Sequence, residues 1–205
     1  MTPVRTRAAD AKLELVADEA AGCRSCDLWR NATQTVFGEG PVADARLVLV
    51  GEQPGDEEDK AGEPFVGPAG RLLDRALDAA DIARDRVYVT NAVKHFKWTP
   101  RGKRRIHQRP NRTEIVACHQ WLARELDLVH DDAPLVTLGA VAGESLFGGS
   151  FRVGASRGQV LAYEGRPVVA TIHPSAVLRS QTSEEREAAF EGFVADLARA
   201  WDLAG

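Results

Sequence analysis

The chain is short of several things, and each shortage closes off a class of protein. It has three cysteines in 205 residues, too few for the dense cross-links that staple small secreted domains. Its longest apolar runs, such as "LVLVG" and "PVVATI", are far too short to span a bilayer. The N-terminus has no apolar signal segment. No internal repeat and no linker interrupts the chain. Nor is there a general excess of positive charge: 26 basic residues face 30 acidic ones, a net charge of -4. A surface that coats nucleic acid everywhere is therefore excluded. These absences predict a soluble cytoplasmic protein without a membrane partner. They also predict a polar, disordered tail over residues 1–8 and one domain over 9–205.

One absence is local. Between Lys94 and Arg112 there are eight basic residues and not one acidic residue. The remaining 18 basic residues are set against all 30 acidic ones. A cationic patch on an acidic body suits a groove that tracks phosphates, and a solvated loop without a partner is the plain alternative. Within this stretch, "RGKRRIHQRPNR" holds one imidazole, His107, among permanent cations.

Periodicity gives the organisation. Helical spacing runs over Ala8 to Ala21, 67–82, 112–129, Val141 to Phe147 and Ser183 to Trp201, with Asn111 or Thr113 capping the helix at 112. Apolar runs at 45–51, 85–93, 133–140 and 166–173 read as buried strands. "GQVLAYEGRP" reads as a hairpin turning at Glu164–Gly165. Strands alternating with helices predict an α/β fold. Its expected form is a three-layer αβα sandwich around a central, mainly parallel four-stranded sheet.

Ligands of such folds bind beyond the C-terminal ends of the strands. There the sequence puts "GEQPGDEED" (51–59), Asn91, Gly139 and "HPS" (173–175). Singly, Gly51 and Gly55 could make a turn, Asn91 could cap a helix and His173 could be a surface histidine. Together they mark a site. Elsewhere, Cys23 and Cys26 form a C-x-x-C pair and Cys118 lies far downstream. That set suits a metal better than a disulfide in a cytosolic chain.

"GEQPGDEED", "PFVGPAG", "VTNAVK" and "HPS", in this order and spacing, resemble the uracil-DNA glycosylase superfamily. The likeness runs from Cys23 to the last helix. It is nearest to the iron–sulfur branch, family 4. The inserted "KRRIH" with Gln53 in "GEQPG" looks like uracil-DNA glycosylase family X. Bacterial family 4 enzymes usually carry alanine where this chain has Gln53, and they lack the insertion. The resemblance implies the uracil-DNA glycosylase fold and DNA repair chemistry on uracil-containing DNA, single-stranded by preference. A monomer is expected.

It also implies a [4Fe–4S] cluster of structural role on Cys23, Cys26, His95 and Cys118. His95 stands where iron–sulfur relatives have a fourth cysteine. Ligand chemistry alone would point to zinc.

For the reaction, a base must be single-stranded or flipped out to be reached. Phe65 is the expected stacking platform. The Asn91 amide matches the N3–H and O4 edge of uracil and mismatches cytosine. His173 is expected near uracil O2, where negative charge develops. Glu52 and Asp56 are anions suited to the positive charge on the sugar, whereas Glu57 and Glu58 read as solvated loop. Gln53, Gly55 and Arg105 complete the expected substrate-binding positions, with Gln53 and Arg105 holding the inserted loop. Leu178 and Arg179 are weaker candidates for the vacated stack or a phosphate.

Family X implies that His107, kept neutral by the cations around it, captures C1′ covalently. Two rival readings stay open. One is a turnover glycosylase in which His107 only touches phosphate. The other is a non-catalytic DNA-binding module with a structural metal.

Overall fold

Leu47 and Leu49 are fully buried on one side of the strand they share, and Val48 and Val50 on the other. A strand with two apolar faces has to be covered twice, and helices do the covering. The computed structural model describes residues 3–204, with side chains from Ala8 onward. In chain order the elements are α1 (Pro3–Ala21), β1 (Leu47–Gly51), α2 (Asp56–Ala61), α3 (Pro68–Ala79) and β2 (Val87–Asn91). They continue with β3 (Trp98–Arg101), β4 (Arg104–His107), α4 (Arg112–Leu126), β5 (Leu135–Leu138) and α5 (Ala140–Phe147). The last are α6 (Val153–Ser156), β6 (Val160–Tyr163), β7 (Arg166–Thr171), α7 (Pro174–Leu178) and α8 (Ser183–Asp202).

The central sheet has five strands in the order β2-β1-β5-β7-β6. The four strands β2, β1, β5 and β7 are parallel, and β6 is antiparallel at one edge. The expected count of four is corrected to five. The hairpin itself sits where it was expected, with Glu164 (φ 50°) and Gly165 (φ 84°) at its turn. Positive φ at both central residues is the type I′ geometry that matches strand twist. Its first strand, the fifth of the sheet, alternates exposed and half-buried residues, the mark of an edge rather than of a buried run.

Val48, Val50, Tyr88 and Leu135 pack under α1, α4 and α5, while Leu47, Leu49, Val87 and Val136 pack under α3, α7 and α8. The result is the expected three-layer αβα arrangement. Among the described residues no helix is long and apolar enough to cross a membrane.

Asn111 is the residue that caps α4. Its side chain accepts the Glu114 N–H at 2.9 Å, and Glu114 returns the favour to the Asn111 N–H at 2.7 Å. Reciprocal pairs of this kind satisfy donors that no helix turn can reach. Helix α1 starts at Pro3, inside the stretch expected to be a tail; residues 1 and 2 lie outside the described residues. The basic stretch is no open loop. Strands β3 and β4 pair antiparallel, with Trp98 opposite His107. Gly102 carries φ +60° at the turn, which suits a two-residue connection beginning with glycine.

Candidate active site

Strand order reverses between β1 and β5, since the chain leaves β1 towards β2 and returns on its other side at β5. Loops part at such a point and leave a crevice. Here the crevice is a cleft of about 760 Å³, lined among others by Glu52, Gln53, Gly55, Asp56, Phe65, Asn91, His107 and His173. Of the expected catalytic and substrate-binding residues, only Arg105 is missing from its wall.

Asn91 ends β2 with its side chain 3% exposed. Its backbone carbonyl accepts the Lys94 ammonium at 2.7 Å, which fixes the residue where it lines the cleft. A Cβ on Gly51 would stand 2.3 Å from Asn91 Oδ1 and 2.8 Å from the Phe65 ring. Only glycine permits both groups to come that close. Phe65 holds φ +59°, a left-handed conformation that costs a bulky residue energy and recurs at ligand sites.

The Lys94 ammonium is itself part of a buried network. Glu125, at 0% exposure, pairs with Lys94 and accepts hydrogen bonds from Tyr88 (3.0 Å), Thr90 (2.9 Å) and the Gly38 N–H (2.8 Å). Burial beside this carboxylate pushes the Tyr88 phenol well above its ordinary range. Nothing in the sequence flags the pair, because a lone lysine and a lone helical glutamate look like surface residues.

His173 follows β7 and caps α7. Its Nδ1 accepts the Ser175 backbone N–H at 3.1 Å and lies 2.8 Å from the Ser175 hydroxyl. Arg179 donates to that hydroxyl at 2.9 Å. Burial pushes the imidazole down to about 4, against a smaller opposing pull from Glu52. His173 is therefore neutral at physiological pH. Since Nδ1 accepts a backbone N–H, the ring proton belongs on Nε2.

Two devices fasten the β3–β4 hairpin to the cleft. Gln53, 6% exposed, donates to the carbonyls of Lys97 (3.2 Å) and Gln108 (3.1 Å) and accepts the Lys97 N–H (3.1 Å). It thus ties together the residues that flank both strands. Arg105 pairs with Asp56 and, at 2.6 Å, with Asp59. Its guanidinium also lies 5.4 Å from the rings of Phe96 and Trp98.

Arg105 and His107 are two apart on β4 and so share a face. The clamp therefore turns His107 inward. His107 Nε2 stands 3.3 Å from Glu52 Oε1. That oxygen is buried and has no well-formed hydrogen bond among the described residues. Gln53 and Arg105 thus hold the hairpin, and neither side chain is free for a substrate, although both stand among the expected substrate-binding positions. The Asp56 carboxylate is engaged by Arg105 and by Lys60 at 2.5 Å.

Two sequence expectations are corrected, on Glu58 and on the basic run, and Asp59 has a role that the sequence did not suggest. Glu58 is not solvated: it is 8% exposed and accepts the N–H groups of Gly55 (3.0 Å) and Gly67 (2.8 Å), joining the starts of α2 and α3. Asp59 is fully buried and accepts both the N–H (2.9 Å) and the hydroxyl (2.6 Å) of Thr33. An acidic run on a polar loop gave no hint of either, because the partners are remote or backbone groups. The eight basic residues do not form one patch. Lys94, Lys97, Arg105 and Arg109 are paired with Glu125, Glu114, Asp56/Asp59 and Glu144. Arg101, Lys103 and Arg104 make no ion pair among the described residues and stand exposed at the hairpin tip.

The expected metal ligands converge loosely. Among the described residues no group of three or more His, Cys, Asp or Glu is gathered closely enough to hold an ion. Yet the sulfurs of Cys23, Cys26 and Cys118 feel one another's charge, and burial pushes Cys118 up to about 12. Cys118 accepts the Lys94 N–H at 3.2 Å and Cys23 the Trp121 indole N–H at 3.1 Å. Burial, with Arg24 nearby, lowers His95 towards the neutral imidazole a metal needs. Three neighbouring sulfurs, two of them receiving N–H donors, whose ionised forms burial and mutual repulsion disfavour, are a donor set that a cation between them would stabilise. In their chemistry these residues fit a metal group.

Comparison with known proteins agrees with this geometry. Residues 37–198 match the model of the Uracil DNA glycosylase superfamily. The chain is 38% identical to a type-4 uracil-DNA glycosylase of Thermotoga maritima, covering 87% of this chain and 90% of that protein. It is 37% identical to one from Archaeoglobus fulgidus, with 87% and 90% covered. A third, from Sulfurisphaera tokodaii, is 36% identical, with 81% and 76% covered. On the extent of these matches, the chain belongs to the uracil DNA glycosylase superfamily.

Proposed function

We propose that this protein removes uracil from DNA and, in the manner of family X, ends the reaction covalently attached to the abasic sugar through His107. One observation carries the reading: His107 Nε2 lies 3.3 Å from Glu52 Oε1 at a cleft that also holds Phe65, Asn91 and His173. The type-4 enzymes it resembles are named for uracil-DNA glycosylase activity.

A uridine turned into the cleft stacks on Phe65 and presents its N3–H and O4 edge to the Asn91 amide. As the C1′–N1 bond breaks, its electron pair leaves with the uracil. Neutral His173 donates its Nε2–H to O2, where that charge gathers. The sugar becomes an oxocarbenium-like cation beside the Glu52 carboxylate. The lone pair of His107 then forms a bond to C1′. The resulting imidazolium gives its remaining N–H proton to Glu52, and a neutral alkylated imidazole is a poor leaving group. Gln53 and Arg105 keep the hairpin in place so that the imidazole reaches the cation before water does.

Cys23, Cys26, His95 and Cys118 would hold a [4Fe–4S] cluster. When bound, it would act as a structural clasp between the segment after α1, the stretch before β3, and α4. Arg101, Lys103 and Arg104 at the hairpin tip supply phosphate contacts, and single-stranded substrate spares the cost of unpairing.

The test is a gel. Protein mixed with single-stranded DNA containing uracil is boiled in detergent and electrophoresed. A surviving protein–DNA band is expected. Free abasic DNA alone would indicate ordinary turnover, and unchanged uracil DNA a binding module without catalysis.

A further inference from the structure

A second cleft opens beside the first. It measures about 790 Å³ and shares Arg109, Ala140 and Val153 with the catalytic cleft. Its other walls come from the start of α4, the end of α5 and the segment 148–153. Two arginines meet there. A Cβ on Gly149 would lie 2.3 Å from an Arg112 guanidinium nitrogen. Arg152 donates to the carbonyls of Gly149 at 3.0 Å and Phe151 at 2.7 Å. Among the described residues neither arginine has an ion pair. The one carboxylate in the wall, Glu144, is taken by Arg109 at 2.5 Å. Like charges gathered on one residue without a counter-ion favour an anion between them. Apart from Asn111, the remaining side chains of the wall are apolar, with buried Ile115 and Phe151 and with Val116 at 64% exposure. Val116 lies on the exposed face of α4, beside Arg112 and Thr113, and offers apolar surface to the cleft.

We infer that this cleft is a second nucleotide subsite: Arg112 and Arg152 hold the phosphate next to the extruded uridine, and Ile115, Val116 and Phe151 receive the neighbouring base. Continuity with the catalytic cleft selects the occupant. A strand that puts one nucleotide into the first cleft must pass its neighbour across the shared wall of Arg109, Ala140 and Val153. The cations and apolar surface are the complement of a phosphate and a base. The Asn111 side chain caps α4 and Arg109 pairs with Glu144, so the proposed contacts are to phosphate and to the face of the base, and the subsite accepts any base. This rests on the proposed uracil-binding role of the first cleft.

The experiment measures binding, so it does not depend on catalysis. Three short single strands carry a 2′-fluorinated deoxyuridine, whose fluorine disfavours the sugar cation, at the centre, at the 5′ end or at the 3′ end. Fluorescence anisotropy compares the wild-type chain with Arg112→Ala/Arg152→Ala and with Val116→Asp. Each variant should bind the central analogue about tenfold more weakly. It should bind one of the terminal analogues equally weakly, and the other as wild type does. The arginine variant should also lower the slope of log affinity against log salt by about 0.7, the share of one phosphate on a single strand. Wild-type affinity for all three strands, or an equal loss on all three, overturns the subsite. If the wild-type protein neither releases uracil nor forms an adduct, the catalytic reading fails instead, and the three binding profiles still decide the cleft.

Discussion

His107 Nε2 stands 3.3 Å from Glu52 Oε1, and this buried oxygen has no other partner among the described residues. A buried carboxylate oxygen without a donor costs free energy, so the contact is arranged rather than incidental. It links a residue at the end of β1 to one at the end of β4. The approach depends on the hairpin being held down.

Replacing His107 with Ser tests who captures the sugar. Glu52, Asn91 and His173 stay in place, so bond cleavage continues. Serine without an adjacent base is a poor nucleophile, and its smaller side chain leaves room for water. The expected outcome is free abasic DNA with repeated turnover and no boiled-gel band. A persistent adduct would assign the nucleophile elsewhere. Glu52→Gln should slow uracil release and adduct formation together, by roughly 100-fold or more, because it acts before the two outcomes diverge.

The clamp on the hairpin makes a separate prediction. Arg105→Ala leaves Asp59, at 0% exposure, without its cation. Breaking such a buried pair costs about 3 kcal/mol, offset in part by the Thr33 hydrogen bonds. Denaturant unfolding should show that loss. Adduct yield should fall more than uracil release, since a loose hairpin lets water compete for the sugar. Equal falls in both would mean that Arg105 serves the fold alone.

Much of this site was legible in the sequence because its residues sit at strand ends, where a parallel sheet gathers them. Glu52, Asn91 and His173 are far apart in the chain and share one cleft. Gln53 and Arg105 were legible as holders of the inserted loop. Asp59 and Glu58 were not, because their partners are Thr33, Gly55 and Gly67, and no local spacing records a remote hydrogen bond. The fifth strand, β6, is a half-exposed edge and carries no buried apolar run. The basic run misled in the other direction. Its composition is uniform, but Lys94 and Lys97 face inward to Glu125 and Glu114.

Lys94 and Glu125 test that inward turn. Lys94→Met strands a fully buried carboxylate and should destabilise the fold by about 3–5 kcal/mol. Lys94→Met combined with Glu125→Met removes both charges and should recover part of the loss. It would still lack the ammonium that fixes the Asn91 carbonyl, so uracil processing should stay impaired after stability returns. A double variant with full activity would remove Lys94 from the positioning of Asn91.

The cysteines predict colour. If Cys23, Cys26, His95 and Cys118 hold an iron–sulfur cluster, the purified protein is brown and its visible absorption bleaches on reduction or oxidation. Cys118→Ala should lose both iron and colour. A colourless protein with one zinc per chain and full activity would replace the cluster with zinc.

The last prediction concerns pH. Folding pushes His173 down to about 4, from roughly 6.5 in an unfolded chain. Above pH 6.5 the ring is neutral in both states and titration contributes nothing against folding. As pH falls below 6.5, the unfolded chain takes up a proton that the folded one refuses. Stability is therefore lost progressively until about pH 4, where the folded ring also accepts the proton. His173→Asn keeps a polar side chain of similar reach and cannot titrate. The stability difference, wild type minus variant, should decline as pH drops from 7 to 4, with a limiting slope of about 1.4 kcal/mol per pH unit. Imidazole resonances of His173 should hold their neutral shifts down to about pH 5. Uracil release should likewise not fall over that range through protonation of this ring, because the donor it offers is Nε2–H of the neutral form. A His173 that titrates near 6.5 would place a cation beside O2 and replace the neutral donor in the account above.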